Sequence, residues 1–272
     1  MKFAKINGIL VHYDDDVPAG SGGDIPTLVF SNSLGTDFRV WDSLVPRLRG
    51  LIGKPLRIVR YDKRGHGLSE APAEPYVMSD HVGDLAALLD HLQIERAIVC
   101  GLSVGGIIAQ GLTALHPERV TGLVLSDTAH KIGTAAMWND RIEQIRAGGI
   151  EALAEPILER WFSQDLRSNR PDELAGWRNM LVRTPVAGYL GTSAAIRDSD
   201  MTGAAQSIRV PTLCVVGSED GSTPPELVKT LADMIPGSRF EVIQGAGHLP
   251  CVEQPDIMAG LMSAFFRETG LV

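Results

Sequence analysis

The feature that most constrains this chain is an alternation of two kinds of segment. Short apolar runs at 27–30, 57–61, 97–100, 120–125 and 212–216 suit strands that are covered on both faces, because a run without polar alternation has no side to offer to water. Between and after them, amphipathic stretches at 41–48, 80–92, 104–115, 226–234 and 256–266 have helical periodicity. Buried strands separated by helices predict an α/β fold, with a mostly parallel central sheet flanked by helices. The first residues differ. Residues 3–13 alternate around Asn7-Gly8, the two-residue signal for a β-hairpin, and the polar, Gly-rich residues 14–24 read as a surface loop.

The alternation stops after Asp127. From 131 to 202 there is no strand-like run, only helical segments punctuated by Gly148-Gly149, Pro156, Pro171, Pro185 and Gly188. Strand–helix order resumes at Val210-Pro211-Thr212. One core domain, 1–130 and 203–272, carrying a helical cap over 131–202 after the sixth strand, is the simplest organisation. Three of the four Trp (Trp138, Trp161, Trp177) fall in the insertion. There they can either pack a small helical layer or face a pocket from a lid.

Charge and cysteine usage exclude whole classes of function. With 25 basic and 33 acidic residues the net charge is −8, which disfavours nucleic acid and anionic membrane surfaces. It leaves open a small anionic substrate, which responds to local charge. The insertion holds nine basic residues, eight of them Arg, against ten acidic ones, so it is nearly neutral. Cys100 and Cys214 sit inside apolar runs and read, with Cys251, as small buried hydrophobes rather than a disulfide framework. No basic segment leading into an apolar one opens the chain, and no apolar stretch reaches 18 residues, so a cytoplasmic protein is expected.

The chemistry concentrates at three strand ends. Gly101-Leu-Ser-Val-Gly105 follows the strand at 97–100 and opens the helix at 104–115. Glycines two before and two after the serine allow a sharp turn that exposes the Ser103 hydroxyl, and the helix start favours a developing anion. A serine nucleophile needs a base, and the base needs an orienting acid. His248, in Gly245-Ala-Gly-His248, follows the strand-like 239–243. Asp220 follows the strand at 212–216, with Glu219 as the alternative acid. The order Ser, Asp, His is that of the nucleophile-elbow architecture.

An oxyanion hole requires two backbone donors. Position assigns them to the N–H of Val104 and of Leu34, the latter in Ser31-Asn-Ser-Leu-Gly35, a loop held by Asn32 and Ser33 side chains. The cluster Arg60-Tyr-Asp-Lys-Arg-Gly-His-Gly-Leu-Ser69 reads as structure, a turn held by Asp62 and Arg64 with His66 as scaffold. The remaining histidines lack metal-ligand spacing, so neither a metal nor another cofactor is expected.

These motifs carry a resemblance. The elbow, the Asp-x-Arg-Gly-x-Gly segment, the terminal Gly-His and the mid-chain insertion resemble the α/β-hydrolase fold with a helical cap. Segments 31–37, 61–69, 101–106, 126–134, 160–162, 185–189, 194–198 and 221–225 resemble the 3-oxoadipate enol-lactonases, across nearly the whole chain. Asn32-Ser33 stands where many relatives have His-Gly, a replacement usual in this subfamily, and the 14–24 loop looks longer than usual.

The resemblance implies a Ser103–His248–Asp220 triad acting on a small anionic lactone, in bacterial catabolism of aromatic acids by the β-ketoadipate route. It implies a monomer or small homo-oligomer. It also implies a clamp for the substrate carboxylate among Arg141, Arg160, Arg178, Arg183 and Arg197, and here Arg197 and Trp138 are the candidates. A general carboxylesterase or perhydrolase with the same triad is the alternative. A binding protein without turnover would need a damaged triad, and a dehalogenase would need an Asp at the elbow.

Overall fold

The computed structural model describes residues 1–20 and 25–272. Eight strands form one sheet in the order β1-β2-β4-β3-β5-β6-β7-β8. They are β1 (Lys2–Ile6), β2 (Ile9–Asp16), β3 (Thr27–Ser31), β4 (Arg57–Tyr61), β5 (Ala97–Leu102), β6 (Val120–Ser126), β7 (Thr212–Gly217) and β8 (Arg239–Ile243). From β4 to β8 every neighbouring pair is parallel. The expected α/β-hydrolase fold is the fold observed. Central strands β3, β5 and β7 are buried at every position, as continuous apolar runs require.

The hairpin forms as its turn residues dictate, with Asn7 at φ 48° and Gly8 at φ 84°, and it joins the sheet antiparallel to β4. Asp14, Asp15 and Asp16 are not loop; they extend β2 and pair with Arg60, Val59 and Ile58. Arginines neutralise all three, Arg60 on Asp14 at 2.8 Å and Arg57 on Asp15 at 2.8 Å from β4, and Arg49 on Asp16 at 2.7 Å. Three consecutive acids read as loop only while their cross-strand cations are out of view. The rest of the expected loop reaches 21–24, outside the described residues.

Helices α1 (Leu44–Ile52), α2 (Met78–His91) and α3 (Val104–Leu115) alternate with the first parallel strands. Between β6 and β7 the chain is helical throughout: α4 (Ala135–Gly148), α5 (Ala154–Trp161), α6 (Gln164–Asn169), α7 (Pro171–Val182), α8 (Val186–Arg197) and α9 (Thr202–Ser207). After β7 come α10 (Pro225–Met234), a short α11 (Pro250–Glu253) and α12 (Pro255–Glu268). Chain order reverses direction at the middle of the sheet, since β3 has β4 on one side and β5 on the other. Loops leaving β3 and β5 therefore diverge at their carboxyl ends, the place where open α/β sheets hold ligands. Among the described residues no helix is long and apolar enough to cross a membrane.

Candidate active site

Ser103 occupies the turn between β5 and α3 at φ 57°, ψ −118°, a backbone conformation that costs an ordinary residue of order 1–3 kcal/mol. The surrounding packing fixes it. A Cβ on Gly101 would lie 2.3 Å from the Gly105 carbonyl oxygen, and one on Gly105 would lie 2.0 Å from that of Ser31. Only glycine admits such contacts. The Ser103 amide donates to the Ser126 carbonyl at 2.9 Å, and the Thr128 hydroxyl donates to the Ser103 carbonyl at 2.6 Å.

His248 and Asp220 arrive from the loops after β8 and β7. The His248 ring bonds through Nδ1 to Asp220 Oδ2 at 2.9 Å, with both residues buried. Asp220 also accepts from the Ser222 amide at 2.7 Å and from the Thr223 amide and hydroxyl at 3.0 and 2.7 Å. Burial alone would raise its pKa, but the His248 ring and the Thr223 donors reverse the shift and hold it below the ordinary carboxylate value. Glu219 turns away, accepting the Gln164 amide at 3.0 Å.

Two buried acids escaped the sequence reading. Asp127, directly after β6, takes the Gly217 amide at 2.9 Å and the Ser126 hydroxyl at 2.5 Å. Asp127, Asp220 and His248 bring ligand atoms within 4.8 Å of one another. Burial and the neighbouring Asp220 charge push Asp127 well above the usual carboxylate range, the condition for one carboxyl of a close pair to keep its proton. Glu253 accepts the Gly247 amide at 2.6 Å and the Ser163 amide at 3.0 Å, so it ties the histidine loop to the insertion. Asp127 lies within the 126–134 segment and Glu253 in no motif, and only a three-dimensional neighbourhood gives either acid its role.

Ser103, His248 and Leu34 line a cavity of about 400 Å³ with Trp138, Arg141, Arg160, Trp161 and Tyr189 of the insertion. Helix α5 docks directly on the two loops. Its unsatisfied terminal carbonyls, at Arg160 and Trp161, accept the Gly221 amide at 3.2 Å and the His248 amide at 2.8 Å. Arg141 lies 4.7 Å over the Trp138 ring. Among the described residues, no carboxylate pairs with Arg141 or Arg160, whereas Lys131, Arg146, Arg167, Arg170, Arg178 and Arg197 of the insertion all pair. Burial, followed by repulsion from Arg141, lowers the Arg160 pKa, and the two arginines line the cavity together with one acid, Asp140.

Arg197 is a correction. It does not line the cavity; its guanidinium grips Asp198 at 2.7 and 2.8 Å and Asn139 at 2.9 Å. Ile196 faces the cavity instead, and the turn of about 100° per residue along α8 carries Arg197 to the outside. Trp138 does line the cavity, its indole N–H donating to the Ile132 carbonyl at 2.7 Å.

The loop after β3 is held as expected by Asn32, whose side chain donates to the Thr36 carbonyl, and by a Ser33–Thr36 hydroxyl contact at 3.3 Å. Among the described residues, the Leu34 amide donates to no protein group. Asp62 holds the turn as expected, accepting the Leu68 amide at 2.9 Å. Asp62 takes the His12 ring at 2.7 Å and the Phe38 amide at 2.8 Å, while Arg64 grips Asp84 of α2 at 2.6 and 2.7 Å. A larger cavity of about 760 Å³, between Phe38 and Trp177, reaches neither Ser103 nor His248.

An elbow serine, a histidine held by a carboxylate, and a cavity beneath an inserted helical layer define a serine hydrolase architecture. The alpha/beta hydrolase family profile matches residues 28–261, and the chain belongs to that family, in the branch that contains the 3-oxoadipate enol-lactonases. It is 34% identical over 244 residues to 3-oxoadipate enol-lactonase 2 of Acinetobacter baylyi, covering 90% of each chain. The crystal structure of the enol-lactonase from Burkholderia xenovorans LB400 superposes with a TM-score of 0.92 at 36% identity, covering 98% of this chain and 100% of that one. A thermophilic esterase from Thermogutta terrifontis gives 0.87 at 27% identity, covering 99% of each.

Proposed function

We propose that this chain opens the enol-lactone of 3-oxoadipate, in bacterial degradation of aromatic acids through the β-ketoadipate route. Ser103, His248 and Asp220 form the catalytic triad, and residues 131–202 cap it. The observation that carries this reading is the bond from His248 Nδ1 to Asp220 at 2.9 Å, with His248 and Ser103 on one cavity. His248 Nε2 takes the Ser103 proton as Oγ bonds to the lactone carbonyl carbon. The Leu34 and Val104 amides receive the oxyanion, and losing one such donor costs roughly 10²–10³ in rate. Collapse breaks the bond to the ring oxygen, which leaves as an enol with the proton from His248. The enol then tautomerises to the ketone, which draws ring opening forward. Water, giving its proton to His248, cleaves the acyl-enzyme and returns Ser103 to its hydroxyl form. Asp220 keeps the ring in one tautomer and stabilises its cation.

The unpaired Arg141 and Arg160 suit the carboxylate arm of a small anionic lactone. On this reading the protein is a cytoplasmic enzyme that works as a monomer or small homo-oligomer. The test generates the enol-lactone in situ from its upstream precursor and follows its loss with wild-type protein and Ser103→Ala. Acceleration by the wild type alone supports the proposal, and its absence rejects it. The likeness to an esterase favours one second reading, a general carboxylesterase or perhydrolase, which predicts equal turnover of neutral short-chain esters.

A further inference from the structure

The segment read from sequence as a structural turn contains one group that turn-making does not use. Lys63 is 1% exposed, and its ammonium donates to the Ser33 carbonyl at 2.5 Å and the Thr36 carbonyl at 3.3 Å. Removing an ammonium from water is costly, and neither partner is a carboxylate, so the charge is spent on two backbone dipoles. The Ser33 carbonyl also accepts the Thr36 hydroxyl at 3.0 Å and the Thr36 amide at 3.3 Å. That carbonyl and the Leu34 N–H belong to one peptide unit. A trans peptide points its C=O and N–H in opposite directions. A cation on the buried side therefore leaves the N–H directed away, toward the side where Leu34 lines the Ser103 cavity.

We propose that Lys63 is a positioning residue for the oxyanion hole. Its ammonium fixes the plane of the Ser33–Leu34 peptide and polarises it, which strengthens Leu34 N–H as a donor to the tetrahedral intermediate. The inference rests on the reading of Leu34 N–H as an oxyanion donor. Hydrogen bonds in a chain reinforce one another, and a charged donor at the carbonyl end is the strongest such reinforcement. The contribution belongs to the transition state, because the ground-state carbonyl carries little charge. Burial lowers the Lys63 pKa to about 7, against the opposing charges of Asp62 and Asp37. The buried rings of His66 and His81 also face this ammonium; burial lowers both ring pKa values, followed by this charge for His66 and by the Arg64 charge and then this one for His81. The reinforcement is therefore lost as the pH rises through about 7.

The experiment compares Lys63→Met and Lys63→Gln with wild type and Ser103→Ala. It uses a neutral p-nitrophenyl ester and the enol-lactone, with phenylboronic acid as a mimic of the tetrahedral adduct. The expected result for Lys63→Met is kcat lower by about ten- to a hundredfold with KM within about threefold. Phenylboronic acid affinity should fall by a similar factor, and Lys63→Gln, which keeps a donor without charge, should lie between. Variants that fold, with kcat and boronate affinity within twofold of wild type, overturn the inference. Should neither variant fold, NMR on the wild type decides: a Leu34 amide-proton shift that follows the measured titration of the Lys63 ammonium supports the proposal, and one that stays flat through that titration overturns it. Activity remaining in Ser103→Ala instead refutes the triad reading itself, a separate failure.

Discussion

Two surfaces meet across the Ser103 cavity and are built in opposite ways. On the sheet side each group is locked by backbone. Ser103 sits in a strained turn that close glycine contacts hold, and Asp220 and the Ser33–Leu34 peptide are each gripped by several donors. On the helical side the groups are long side chains from α4, α5 and α8, among them Arg141 and Arg160, which pair with no carboxylate among the described residues. Polar groups satisfied in place suit chemistry, which tolerates little misplacement. Half-buried cations without a carboxylate partner suit recognition, since a ligand that supplies the missing charge gains most there. On the function proposed above, bonds break on the sheet side and the insertion chooses the substrate.

The largest effect expected is from Ser103→Ala, which should lower kcat by about 10⁴–10⁶-fold while binding of an unreactive carboxylate ligand survives, as read by steady-state kinetics and calorimetry. Loss of both together would merge the two surfaces into one. Next, Asp220→Asn should cost about 10⁴-fold in kcat, whereas Asp127→Asn, which copies a protonated carboxyl, should stay within about fivefold of wild type. The linkage sign supports this contrast. Asp127 is raised in the folded protein, so its stability contribution is full below the unfolded carboxyl pKa and is lost as pH rises through the folded value. Asp127→Asn should therefore melt higher than wild type at pH 8, with the gap closing toward pH 4 in thermal scans.

Smaller and more selective is Arg160→Met, which should raise KM for the anionic lactone by roughly ten- to a hundredfold and leave neutral esters nearly untouched. Equal losses on both substrates would place Arg160 in the chemistry instead. The smallest effect belongs to Arg197→Ala: unchanged KM, and a stability change of under about 1 kcal/mol by denaturant titration, as for a surface ion pair.

Which parts were legible in the sequence follows the same division. The sheet side was readable because its residues sit in contiguous motifs at strand ends: Gly101 to Gly105, the loop 31–35, and His248 after β8. The apolar run at 57–61 and the amphipathic stretch at 104–115 coincide with β4 and α3. Asp14–Asp16 was misread because its cross-strand cations, Arg57 and Arg60, lie more than forty positions away. The inner face of the insertion was less readable, because five arginines there share similar helical settings and only rotation about each axis separates them. One residue of difference put Ile196 inside and Arg197 outside. Asp127 and Glu253 were silent because a buried acid has no local signature; its partners come from other elements.

The elbow conformation has a bearing on how long the molecule lasts. At φ 57°, ψ −118° Ser103 occupies a region that glycine enters freely, so Ser103→Gly should yield a protein that is catalytically dead and harder to melt, by about 1 kcal/mol or more. Selection for durability alone would erase this serine. Its presence means that the chain has been kept at a thermal disadvantage for the sake of turnover, and that a search for heat-resistant variants without an activity screen would discard the nucleophile first.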